Sequence, residues 1–88
     1  MYQKGGFLLG MPVEFNTMIV TKGREQRMEE NVFLLTKEGY RIYPIDIPLE
    51  VRKTKDGEIA GEAIVEKLQL HENKTVVTYR LVALNSTN

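Results

Sequence analysis

The chain has 88 residues, twelve of them basic and twelve acidic, with 42% hydrophobic and 27% charged. That is one domain of ordinary globular composition, which excludes bulk disorder. The balanced charge argues against a non-specific polyanion binder, and the absence of cysteine excludes disulfides and thiolate metal ligands.

In chain order, the first apolar stretch is Phe7 to Val13, interrupted by Gly10 and Pro12. It is too short to cross a membrane and has no leader-type cleavage pattern. Met11 lies inside it. The natural start is therefore expected near Met11, with residues 1–9 a flexible N-terminal extension and 10–88 a single β domain. Val13, Phe15, Thr17 and Ile19 alternate with Glu14, Asn16, Met18 and Val20, which predicts a strand. A turn follows around Gly23. Met28, Val32 and Leu35 fall at helical spacing, so a short helix from Glu25 to Glu30 is a second reading there. Val32 to Lys37 reads as a strand, and Glu38-Gly39 turns it into Tyr40 to Tyr43. Pro44 and Pro48 bracket Ile45-Asp46-Ile47, which marks an edge, a bulge or a crossover.

The second half has the clearest pattern. Leu49 to Thr54 alternates, and Lys55-Asp56-Gly57-Glu58 follows; Asp-Gly suits a type I′ hairpin turn. Ile59 to Leu70 carries apolar residues on both parities, so a long strand that bends is expected, with Gly61 as a bulge or kink. His71-Glu72-Asn73-Lys74 is a polar break. Thr75 to Leu84 is rich in β-branched residues. These segments predict a C-terminal three-stranded meander. The expected fold is mostly β: a small antiparallel, partly closed barrel, PUA-like by analogy, or else a sheet completed by dimerisation.

The residues that carry chemistry are few. His71 is the only histidine; His71-Glu72 opens like a zinc-binding HExxH helix, but position 75 is threonine and the second ligand is missing. Ser86, the only serine, lies in the tail. Glu62 and Glu66 share strand parity, as paired carboxylates for acid–base work would, yet such alternation is also how a wet strand face looks. Lys22-Gly23-Arg24 lacks the glycine spacing of a phosphate loop. No catalytic residue, cofactor or metal ligand is therefore assigned. The candidate contact residues are basic: Lys22, Arg24, Arg27, Arg41 and Arg52. Gathered beside Tyr40 or Tyr43, they would touch phosphates and stack bases. Acidic neighbours interrupt every group, and a mixed-charge surface is the plainer reading.

Four segments together resemble a known family: Gly10-Met11-Pro12-Val13-Glu14-Phe15-Asn16-Thr17-Met18-Ile19-Val20, Glu29-Glu30-Asn31-Val32-Phe33, Glu38-Gly39-Tyr40-Arg41-Ile42-Tyr43-Pro44 and Pro48-Leu49-Glu50-Val51-Arg52-Lys53-Thr54. They are similar to the YtmB-like family, small proteins of bacilli with a domain of unknown function. The resemblance spans about residues 10–88. It implies a bacterial cytoplasmic protein and supplies no catalytic residues.

The expected function is a non-enzymatic β-barrel binding or interaction module, cytoplasmic and self-associating as a homo-oligomer, with no membrane and no DNA partner. The alternatives are an RNA-binding PUA-like domain using the five basic residues, and, last, a small hydrolase or metal-dependent enzyme using His71 and the Glu62/Glu66 face.

Overall fold

The longest ladder joins the two longest strands. In the computed structural model, which describes residues 5–8 and 11–85, β8 (Ile59–His71) pairs antiparallel with β9 (Lys74–Leu84), and β7 (Pro48–Arg52) pairs antiparallel with β8. This is the expected meander. The tight turn falls at Glu72-Asn73, where both residues have positive φ (51° and 63°), as a type I′ hairpin requires. Asp56-Gly57, in contrast, has no positive φ. The connection there is six residues long, closed by a Gly57 N–H to Thr54 C=O bond of 3.1 Å. The type I′ expectation at Asp56-Gly57 is therefore corrected. The last paired residues are Arg52 and Ile59, so the connection spans residues 53–58 rather than two central residues, and beside it the register slips at Val51/Arg52, leaving Ala60 without a β7 partner.

The mixed parity of β8 has a simple cause. Gly61, Ala63 and Val65 face the core; a bulge at Glu66 then shifts the parity, so that Leu68 and Leu70 take over opposite Val77 and Thr75. Gly61 sits beside the Ala60 irregularity, as expected of a bulge glycine. A Cβ there would run into the Ala83 carbonyl.

The remaining strands are β1 (Gly5–Leu8), β2 (Met11–Phe15), β3 (Met18–Val20), β4 (Gln26–Arg27), β5 (Val32–Glu38) and β6 (Tyr40–Ile42). The helix over 25–30 is not formed. Gln26 and Arg27 pair with Leu34 and Phe33 instead, and Met28 and Glu29 both donate to the Val32 carbonyl. Val32 and Leu35 spend their apolar surface on β5, which leaves exposed Met28 no face to pack. Among the described residues there is no helix, so none long and apolar enough to cross a membrane.

One sheet has the order β1-β2-β6, the other β3-β7-β8-β9-β5-β4. An all-antiparallel arrangement is also corrected: β2 runs parallel to β6 and β3 parallel to β7. Residues 11–20 thus lie alongside 40–52, first in one sheet and then in the other. Residues 43–47 form the crossover between them, with Asp46 at φ 71°. Among the described residues the six-stranded sheet has two ends and no ladder joins them, so it is not a closed barrel. It is nonetheless strongly rolled. Lys37 on β5 donates to the Val20 carbonyl on β3 at 2.9 Å, although four strand spacings, roughly 19 Å if flat, separate those strands. Inside the roll lie Ile19, Leu35, Ala63, Val65, Val77 and Tyr79, with Phe33 stacked on Tyr79 at 5.6 Å.

Candidate functional site

The site forms where the chain passes from β2 to β3 and the two sheets part. Its first wall is the turn at residues 21–24. Lys22 (φ 51°) and Gly23 (φ 73°) are the two central residues, and Arg24 N–H closes the turn on the Thr21 carbonyl at 2.9 Å. Buried Thr21 accepts from Gly23 N–H, and the Thr21 and Lys22 amides donate to the Arg52 and Lys53 carbonyls. A lysine held left-handed costs about 1–2 kcal/mol relative to glycine. The turn fixes Lys22 at the mouth of the cavity.

Lys37 is the centre of the site. On β5 it shares parity with Phe33 and Leu35, both buried, so it is a lysine at a core-facing position. Its ammonium carries three donors and gives one to Val20. Burial lowers its pKa, and Arg41, Lys22 and Arg24 lower it further; only Glu14 acts the other way.

Arg41 is placed by β6. Its amide donates to Thr75 Oγ1 at 2.8 Å, and that fully buried hydroxyl donates to the Gly39 carbonyl at 2.8 Å. The Tyr40 hydroxyl accepts from Asn73 N–H, so the β8–β9 turn is pinned to the same strand. The guanidinium bonds the Glu38 carbonyl at 3.0 Å and meets Glu14 at 3.6 Å. Tyr43, next to β6, has its ring in the core and is 2% exposed. Burial, with opposed smaller effects of Arg41 and Glu14, pushes its hydroxyl up to about 12. That hydroxyl therefore remains a proton donor at any physiological pH, and no hydrogen bond occupies it among the described residues.

These groups surround an open cavity of about 470 Å³, lined by Lys22, Lys37, Arg41, Lys55, Tyr43 and the 14–18 stretch, which brings in Glu14 and Phe15. Of the five basic residues read from the sequence, Lys22 and Arg41 line it, and Arg24 acts on Lys37 from nearby. Arg27 and Arg52 do not join them. Arg27 lies over the Phe33 ring at 5.2 Å, and Arg52 is held by Glu50 (2.8 Å) and the Gly57 carbonyl. The aromatic partner differs as well. Tyr43 is buried and Tyr40 is tied to the hairpin turn, whereas Phe15 is 51% exposed at the cavity. Lys37 is not among the five basic residues that the sequence offers, although a charge on the apolar parity of a strand is the informative exception.

The His71 and Glu62/Glu66 grouping is not assembled. His71 is exposed at the hairpin end, its contact Glu72 at 3.7 Å. Glu66 is paired with Arg80 at 2.7 Å. Glu62 lies nine residues before His71 along β8, roughly 30 Å at strand rise. Among the described residues no three His, Asp or Glu side chains converge on a metal-sized site.

A small β protein with a basic concavity between two sheets is what the fold and site define, and family comparison places it. The chain belongs to the family described as a domain of unknown function, DUF2584, whose model matches residues 9–88. It is 60% identical over 80 residues to the uncharacterized protein YtmB of Bacillus subtilis (strain 168), covering 91% of this chain and all of that protein. The crystal structure of that Bacillus subtilis protein superposes with a TM-score of 0.86 at 59% identity, over 91% of this chain and 99% of the other.

Proposed function

We propose that this protein is a non-enzymatic binding module that holds a phosphate-bearing anion in the cavity around Lys37. One observation carries the reading: four of the twelve cations line this concavity with only one of the twelve acids. In a chain of zero net charge, such a gathering makes a local anion trap. The lining offers ammonium, guanidinium and phenol donors, and a charged hydrogen bond from each is stronger than a neutral one. A cytoplasmic setting, where phosphate esters abound, is supported by the cysteine-free composition.

Calorimetric titration with inorganic pyrophosphate at low salt tests this. Wild type is expected to bind, Lys37→Met to lose about tenfold or more, and Lys67→Met, on the opposite sheet face, to bind as wild type. Equal losses in the two variants, or no binding by wild type at millimolar ligand, would contradict the reading.

A second reading, RNA recognition by a PUA-like domain, is favoured by a single observation. Lys22, Arg24 and Arg41 all bear on the one Lys37 ammonium, so three of the five basic residues create a common field. The barrel-like analogy draws on the placing of the two edge strands β3 and β4, which are consecutive in the chain. A self-associating form of the module is supported by the exposed apolar side chains near the end of β9, Val82 and Leu84. Sedimentation at micromolar concentration should then show a dimer; a monomer removes that part.

A further inference from the structure

We infer that the anion bound in this cavity carries an aromatic ring: the ligand is a nucleotide, free or as one residue of a single strand, and Phe15 is its stacking platform. The inference rests on the anion-binding reading above and adds the second half of the ligand to it.

Three observations lead there. The first is the position of Phe15. It shares strand parity on β2 with Val13, which is buried, so its direction is that of a core residue. Yet half of its surface is open, and that ring lines the cavity. An exposed ring at a strand's inward parity is an unfilled contact, and burying it is favourable. The second is the size of the space. At about 470 Å³ it lies within the range of small-molecule sites and is far larger than a bare phosphate group requires. The third is the division of the lining. The cations Lys22, Lys37, Arg41 and Lys55 with the Tyr43 hydroxyl suit a phosphate, and Phe15 with Met18 offers the apolar surface. Anionic phosphate together with a flat aromatic base is the chemistry that matches both parts.

The test compares four ligands by calorimetry: inorganic pyrophosphate, ribose 5-phosphate, ADP and an eight-residue single-stranded RNA, each with wild type, Phe15→Ala and Phe15→Tyr. Stacking of one base on an aromatic side chain corresponds to roughly five- to hundredfold in affinity. ADP is therefore expected to bind at least about fivefold tighter than pyrophosphate. Phe15→Ala should remove that advantage while leaving pyrophosphate binding within about twofold, and Phe15→Tyr should restore it. Because Phe15 is half exposed, the alanine variant should fold, and its pyrophosphate binding reports on that directly. If ADP binds no tighter than pyrophosphate or ribose 5-phosphate, or if Phe15→Ala weakens all ligands alike, the inference is overturned while the anion site stands. If pyrophosphate itself fails to bind wild type, the anion reading falls and the inference with it. RNA binding tighter than ADP identifies the strand as the source, and ADP at least as tight as RNA identifies the free nucleotide; both retain the Phe15 platform.

Discussion

Lys37 costs the fold stability at the very position where the proposed anion would sit. Its side chain is partly buried, and that burial, with the charges of Arg41, Lys22 and Arg24, lowers its pKa. The unfolded chain therefore binds more protons between that lowered value and 10.5, and stability must rise with pH through that window. Lys37→Met keeps the aliphatic stem over the core and removes the charge. It is expected to raise the Tm at neutral pH by about 2–4 °C, with the gap to wild type closing as pH approaches 10.5. Thermal melts at pH 7 and 9.5 check this; a lower Tm for the variant at pH 7 would show that the Val20 bond outweighs the charge. This rise applies below pH 10. Above it the raised pKa values of Tyr43 and Tyr79 act oppositely, because their stability contribution is complete below the unfolded value of 10.0 and is lost as pH rises through the folded one. Tyr43→Phe isolates the hydroxyl. The ring stays in the core, so urea unfolding should change by less than about 0.5 kcal/mol, while pyrophosphate affinity falls by about tenfold.

The elements show which parts of the pattern were readable. The meander was legible because its signals are local: alternation, β-branched runs and a polar break at 71–74. The doubled parity of Ile59 to Leu70 foretold a bend, and the bulge at Glu66 supplies it. Asp56-Gly57 misled because turn propensity says nothing of where pairing ends, and here it ends at Arg52 and Ile59, either side of residues 53–58. Met28-Val32-Leu35 misled because its spacing fits both a helix and the start of a strand. Two glycines separate steric from conformational need. Gly61→Ala drives a methyl into the Ala83 carbonyl on the paired strand and should cost about 2–3 kcal/mol. Gly39→Ala meets no atom within 4 Å but is held at φ 80°, and should cost about 1–2 kcal/mol. Urea unfolding of the two variants orders them, and a larger loss at Gly39 would contradict the packing described at Gly61.

At the scale of the whole molecule, the roll of the six-stranded sheet creates the site. It carries Lys37 on β5 across to β3 and brings Lys22 and Lys55 from separate turns to one mouth. None of this was legible in the sequence, because the parallel pairing of residues 11–20 with 40–52 is non-local and leaves no mark in local periodicity. For the same reason Arg27 and Arg52, sequence neighbours of the other basic residues, turned out to serve Phe33 and Glu50. The charge balance that spoke against a polyanion binder holds for the chain as a whole and not for this concavity. A compact anion trap of this kind should weaken with added salt, though less steeply than a surface tracking many phosphates.

The central claim is that the cavity around Lys37, and not the cationic surface at large, is where an anion binds. A ¹H–¹⁵N titration with pyrophosphate at low ionic strength examines it residue by residue. The amides of Lys22, Lys37, Arg41 and Tyr43 should shift together along one saturating curve, while those of Lys67, Lys74 and Arg80 stay within error. Shifts spread evenly over all of these residues, or none at Lys37, would contradict it.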